Sequence, residues 1–92
     1  MRARMEKESP SPFLFNAMTP EEYERAKKLY KFLIKLSECK HGFLNISREE
    51  FIDLASTIMK CSSFEAYQII MKMKKYGWIR EIKDDLVIIN IG

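Results

Sequence analysis

Apolar side chains recur every three or four positions in three separate stretches of the chain, which predicts three amphipathic helices. The stretches cover residues 19–38, 48–60 and 63–76. Each is introduced by Thr or Ser with Glu three residues further on, as in Thr19 and Glu22. This spacing is typical of a capping box, in which two side chains satisfy free backbone groups at the helix N-terminus. The starts of the helices are therefore predicted more sharply than their ends.

Shorter apolar runs follow the first and third predicted helices. Residues 43–46 are too few for a helix and predict a short strand. Residues 78–83 and 86–91 are two β-rich runs on either side of Asp84 and Asp85, a pattern that predicts a hairpin. The expected order is helix, short strand, helix, turn, helix and hairpin.

Residues 1–18 are predicted to form an N-terminal arm that precedes a folded domain of residues 19–92. Charged residues, Ser and Pro dominate the beginning of the arm and oppose both helix and central strand. Phe13, Leu14 and Phe15 interrupt that polar character. They either pack back on the domain or, together with the first helix, form the interface of a homodimer.

The third predicted helix has two different faces at 100° per residue. Its core face is expected to consist of Ala66, Ile69, Ile70, Met73 and Tyr76. The opposite face presents Phe64, Gln68, Met71 and Lys75, with Tyr67, Lys72 and Lys74 beside them. Phe64 either stays on that face or turns under into the core. Lys72 and Lys75 lie off the core face, so we expect substitutions there to leave stability nearly unchanged.

Residues 19–91 resemble a winged helix-turn-helix domain. The matching residues are Leu54 and Ala55 in the second helix, then Ala66, Ile70 and Met73 ahead of Gly77, followed by Trp78 and Ile79. The resemblance implies an α+β fold in which three helices pack against a small antiparallel sheet, the wing. The turn between the second and third helices departs from the pattern, because it carries Lys60 and Cys61 where a glycine is common.

Positive charge is concentrated on the third helix and its borders. Residues 60–80 contain five basic side chains and one acidic side chain, Glu65, which gives this segment a net charge of +4. The whole chain carries +3, so the remainder is slightly negative. A merely solvated helix face usually mixes Glu with Lys for pairing.

A basic helix of this kind suits the major groove of DNA, where lysines meet phosphates and a Gln amide pairs with adenine. We therefore expect a DNA-binding transcriptional regulator, a homodimer, that places residues 63–76 in the major groove of double-stranded DNA. The expected contact residues are Ser62, Ser63, Tyr67, Gln68, Met71, Lys72, Lys74, Lys75 and Arg80. The two serines either contact a phosphate, by analogy with other winged helices, or serve only as caps.

The alternative is a winged-helix module that binds protein in a replication, transcription or membrane-remodelling assembly. Exposed apolar groups such as Tyr67 and Met71 favour it. The carboxylates at the predicted wing tip would repel phosphates, which disfavours deep insertion of the wing. A further lysine cluster on the first helix is interpreted as a solvated face: Lys27, Lys28, Lys31 and Lys35.

Catalysis and metal binding have little support in the sequence. Cys39, His41 and Cys61 provide three soft ligands but lack a fourth and any Cys-x-x-Cys pair, so neither a metal nor another cofactor is expected. No triad, acid-base pair or Gly-rich phosphate loop is recognisable, and we expect no enzyme. No apolar run is long enough to span a bilayer, so a cytoplasmic, nucleoid-associated protein is expected. Abundant Lys, Glu and Ile with a single Gln suggest an archaeal or viral thermophile.

Overall fold

The computed structural model describes residues 17–91. Within this range the chain forms three helices, α1 (Pro20–Ser37), α2 (Arg48–Met59) and α3 (Ser63–Lys75), and three strands, β1 (Phe43–Leu44), β2 (Ile79–Ile82) and β3 (Val87–Ile89). A turn of 3₁₀ helix, Glu38–Lys40, follows α1. The strands form one antiparallel sheet in the order β1-β3-β2. The predicted α+β fold is confirmed, and it is compatible with a winged helix.

All three predicted capping boxes are present. Thr19, Ser47 and Ser62 each accept a hydrogen bond from the backbone N–H three residues further on, at 3.1 Å. The glutamate at that position accepts a hydrogen bond from the backbone N–H of the capping residue in return. Each reciprocal pair fixes where its helix begins, because it satisfies donors that the helix itself leaves free.

In residues 17–91 a hydrophobic core lies between the three helices and the sheet. The predicted core face of α3 is confirmed for Ala66, Ile69, Ile70 and Met73, each of which is buried. The largest other fully buried side chains are Leu29, Leu33, Phe51, Ile79, Val87 and Ile89. They come from α1, α2 and the two wing strands, so one face of α3 is packed against every other layer of the domain.

The prediction that Tyr76 belongs to the core was wrong. Its side chain is 39% exposed, because α3 ends at Lys75 and Tyr76 is the C-cap at the edge of the core face. The Tyr76 hydroxyl accepts a hydrogen bond from the backbone N–H of Met18 at 3.0 Å, and its ring lies edge-on to Trp78. Met18, predicted to be part of the arm, is half-buried against the core. Phe13, Leu14 and Phe15 lie outside the described residues.

Three turns between residues 17 and 91 contain left-handed backbone, at residues 41–42, at Lys60 and at Gly77. Lys60 adopts φ 57° at the end of α2, in the place where a winged helix commonly has glycine. The turn therefore spans the three residues 60–62 without a glycine. Gly42 has φ +90°, and its amide and carbonyl hydrogen-bond to Ser37 and Ile89, which attaches the end of α1 to the sheet.

The wing is shorter than predicted and its tip is tied to α2. The strands β2 and β3 cover four and three residues, with a bulge between Ile79 and Glu81. At the tip, the backbone carbonyl of Asp84 accepts a hydrogen bond from the N–H of Arg48, and the Asp84 carboxylate lies 3.5 Å from the Arg48 guanidinium. One of the two tip carboxylates is thus paired with a cation from α2.

Gly42 and Gly77 provide a matched test of the sheet attachment. A Cβ at Gly42 would lie 2.2 Å from the carbonyl oxygen of Ile89, whereas a Cβ at Gly77 would meet nothing within 4 Å. Both glycines have positive φ, so Gly77→Ala should cost roughly 1 to 2 kcal/mol from backbone strain alone. Gly42→Ala should cost clearly more, because the clash forces β3 to move. Chemical denaturation of the two variants measures the difference, and equal losses would contradict this account.

Candidate nucleic-acid interface

The outward face of α3 is held in place by the buried face behind it. Gln68 and Lys75, separated by almost two turns, are both exposed on this face. Phe64 precedes Gln68 by about one turn and is 70% exposed, which excludes the alternative that its ring joins the core. The three side chains form a row along the middle of the helix, pointing away from the domain.

Ser62 and Ser63 differ in their roles at the start of this helix. The Ser62 hydroxyl is the N-cap acceptor for Glu65, and it also lies within hydrogen-bond distance of the Glu65 carboxylate. Ser62 therefore has the capping role that the sequence allowed. Ser63 is the first residue of α3 and is exposed. A phosphate near this end would meet free helix amides, but it would also meet the Glu65 carboxylate.

Lys72 is engaged within the domain. Its ammonium group donates to both carboxylate oxygens of Glu22, at 2.8 Å and 3.0 Å, and the two side chains are 21% and 22% exposed. The pair joins α3 to the first turn of α1. This contact argues against the expectation that substitution of Lys72 leaves stability nearly unchanged, because its removal leaves a half-buried carboxylate without its cation. Sequence reasoning missed the pair, since fifty residues separate its members.

Glu22 serves two structural roles with one carboxylate. It accepts from Lys72 and, as the third residue of α1, also from the backbone N–H of Thr19. Burial by itself raises the pKa of this carboxyl, but the hydrogen bonds from Lys72 and Thr19 outweigh it and hold the pKa below its ordinary value of 4.5. The charged form is thereby favoured at neutral pH.

Lys74, Lys75 and Arg80 remain as the exposed cations of the predicted site. Among residues 17–91, no carboxylate lies within ion-pair distance of any of the three. Lys74 and Lys75 occupy the last turn of α3, where the helix dipole favours positive charge. An anionic partner can therefore contact them without breaking an ion pair among residues 17–91.

Tyr67 and Met71 lie on the flank of α3 that faces α2 and the wing. Tyr67 is 45% exposed and Met71 is half-buried. With Lys74 they form one wall of a groove whose other walls come from α2 and β2. The structure thus divides the predicted residues into an outward row, a groove wall and an internally paired lysine.

Cys39, His41 and Cys61, which the sequence offers as soft side chains, do not come together as a ligand set. In the described part of the chain, no three His, Cys, Asp or Glu side chains are close enough to hold a metal ion. Cys39 is exposed, and Cys61 is half-buried in the turn before α3. Burial raises the pKa of the Cys61 thiol, which disfavours the reactive thiolate. No helix between residues 17 and 91 has both the length and the apolar character that crossing a bilayer requires.

The fold and this surface define a small α+β domain with the helix order and sheet of a winged helix. The chain is 48% identical over 73 residues to the "Uncharacterized protein ORF98a" of Acidianus two-tailed virus, an alignment that covers 79% of this chain and 74% of the viral protein. The chain therefore belongs to the same family as this viral protein. No protein-family model and no solved structure matches it. A viral relative agrees with the expected archaeal or viral source.

The Glu22–Lys72 pair predicts a pH-dependent coupling between α1 and α3. Lys72→Met and Glu22→Gln, alone and combined, form a double-mutant cycle in which glutamine can still complete the capping box. We expect a coupling of about 1 kcal/mol at pH 7. Because the folded-state pKa of Glu22 is lowered, this contribution is present above pH 4.5 and is lost as the pH falls through the lowered pKa.

Denaturation curves of the four proteins at several pH values measure this coupling. Lys75→Met is the matched control, since Lys75 has the same side chain on the same helix but is exposed. A coupling near zero at pH 7, or one that grows on acidification, would contradict the assignment.

Proposed function

We propose that this domain binds double-stranded DNA and acts as a transcriptional regulator, with the outward face of α3 in the major groove. The observation that carries the proposal is the exposed row on α3, in which Gln68 and Lys75 point away from a helix whose other face is buried. A helix of 13 residues that exposes Gln68 and Lys75 on its outer face has the width and length that the major groove admits.

The charge distribution supports phosphate contact by Lys74, Lys75 and Arg80. Each is exposed, and none has a carboxylate partner among the described residues. Neutralising phosphates releases counterions, so such contacts supply affinity that does not depend on sequence. Lys72 has a different role in this proposal. It holds α3 against α1 through Glu22 and orients the row without contacting DNA.

Gln68 is the residue best suited to sequence reading. Its amide both donates and accepts hydrogen bonds, which matches the adenine edge in the major groove, whereas a lysine ammonium only donates. It is exposed at the middle of the row. The wing contributes less, because Asp85 remains at the tip beside the Asp84–Arg48 pair.

A protein-binding module is the second candidate, and the exposure of Phe64 favours it. A phenylalanine that is 70% exposed at the start of α3 is unusual for a surface that meets only phosphates. In this alternative the row docks on another protein of a replication, transcription or membrane-remodelling assembly. The homodimer expected through Phe13, Leu14, Phe15 and α1 stays a prediction.

Charge reversal at the end of α3 tests DNA binding. Lys74→Glu with Lys75→Glu should weaken binding to duplex DNA strongly, and the dependence of the residual affinity on salt should be shallower by about 1 for each phosphate contact removed. Stability should fall by about 1 to 2 kcal/mol at most, because both side chains are exposed and the main cost is negative charge at the C-terminal end of the helix. Fluorescence titration on random duplex at two salt concentrations measures both quantities.

The matched control is Lys31→Glu with Lys35→Glu, which makes the same change in net charge on the exposed side of α1. It should retain most of the affinity. Equal losses in the two double variants would mean that only overall charge matters. Undiminished affinity in the α3 variant would remove the proposal.

Gln68→Ala separates base reading from phosphate contact. On a selected site this variant should lose about 1 to 3 kcal/mol of binding free energy, and on a scrambled duplex it should lose little. Lys75→Ala should weaken binding to both duplexes alike. Two binding curves per variant, one on each duplex, measure these losses. Equal losses on both duplexes for Gln68→Ala would take away its role in specificity.

A further inference from the structure

A groove of about 200 Å³ lies between α3, the N-terminal half of α2 and strand β2 of the wing. Its apolar lining consists of Phe51, Ile52, Tyr67, Ile70, Met71 and Ile82. Phe51 and Ile70 are buried core residues and form its base, whereas Ile52, Met71 and Ile82 are only half-buried. Contact with DNA phosphates would not require an apolar groove beside the outward row.

Two cations stand at the edge of this apolar lining. Arg48 comes from the first turn of α2 and Lys74 from the last turn of α3, so they approach the groove from different elements. Both residues are exposed. The groove therefore combines an apolar interior with positive charge at its rim.

The size of the groove limits what can fill it. Pockets for drug-sized ligands occupy about 300 to 1,000 Å³, and a cavity of about 150 Å³ is enough for a benzene ring. A volume of about 200 Å³ thus matches one bulky apolar or aromatic side chain. Anchors of this kind, seated in a preformed pocket and surrounded by polar contacts, dominate the affinity of protein interfaces.

A carboxylate from the wing tip already contacts the cationic rim of the groove. Asp84 already lies 3.5 Å from the Arg48 guanidinium, although its side chain is 98% exposed. Such an exposed pair contributes little to stability, so a partner carboxylate can replace it at small cost. Charge complementarity accordingly favours an acidic occupant over a basic or neutral one.

We propose that this groove binds a segment of a partner protein in which one bulky apolar side chain is flanked by carboxylates. The apolar side chain enters between Tyr67, Met71 and Ile82, and the carboxylates meet Arg48 and Lys74. Lys74 is also one of the proposed phosphate contacts, and Tyr67 and Met71 lie on the same helix beside the row proposed to enter the major groove. We therefore expect the partner segment and duplex DNA to exclude each other. This expectation rests on the proposed function.

The test uses synthetic nine-residue peptides and the full chain. The probe carries a central tryptophan flanked on both sides by glutamates and an N-terminal fluorophore. One control peptide replaces the tryptophan by alanine, and the other replaces the glutamates by lysines. Fluorescence anisotropy without DNA should show binding of the acidic tryptophan peptide that is roughly tenfold or more tighter than that of either control.

A charge swap locates the binding at the groove. Arg48→Glu with Lys74→Glu should lose the acidic tryptophan peptide and gain the lysine-flanked one. Lys28→Glu with Lys31→Glu, which makes the same change in charge on α1, should behave like the wild type. Circular dichroism confirms folding, and recovery of binding by the lysine-flanked peptide cannot arise from an unfolded variant.

The outcomes separate the groove from the proposed function. Failure of the acidic tryptophan peptide to bind, equal binding of the alanine control, or an unaltered preference after the charge swap each overturns the groove proposal. A duplex titration of the wild type without peptide tests DNA binding independently. Peptide binding that leaves a bound duplex in place overturns the mutual exclusion, and displacement of the duplex supports it.

Discussion

The packing of one face of α3 against the rest of the domain is the constraint on which the structure depends. Ala66, Ile69, Ile70 and Met73 are buried against side chains from α1, α2 and the wing strands. Rotating the helix would bring Gln68 or a lysine into that core, where an unpaired polar group costs about 1 to 3 kcal/mol or more. The buried face therefore determines which side chains point outward, and the proposed contact with DNA follows from it.

The ion pair between Lys72 and Glu22 leaves the outer side of α3 less positive than the sequence of the helix suggests. Lys72 looks like part of the basic cluster in the sequence, yet it is bonded to both oxygens of Glu22 at the beginning of α1. Glu22 is at the same time the third residue of α1 and the glutamate of its capping box. One carboxylate thus fixes the start of one helix and the position of another. Of the cations predicted to contact DNA, Lys74, Lys75 and Arg80 have no carboxylate partner among residues 17–91, and they lie towards the C-terminal end of α3 and in strand β2.

The features of this structure that the sequence predicted are those determined by interactions between residues close together in the chain. Capping boxes act within four residues and helix periodicity within two turns, so the helix starts and the core face of α3 were readable. The edge of the core could not be predicted in this way. Tyr76 lies one residue beyond the end of the helix, and its hydroxyl accepts a hydrogen bond from Met18, which is distant in sequence. The Glu22–Lys72 pair and the groove beside Arg48 likewise join distant segments, and no spacing in the sequence reports such contacts.

The most direct test of the account is the place on the domain where DNA binds. Titration of isotope-labelled protein with a short duplex at low salt, followed by backbone amide NMR, maps the contact residue by residue. The account predicts the largest shift changes along α3 around Gln68 and Lys75 and at Arg80, with small changes at Lys31 and Lys35 on α1. Changes concentrated on α1 or on the outer face of the sheet, with α3 unaffected, would contradict it.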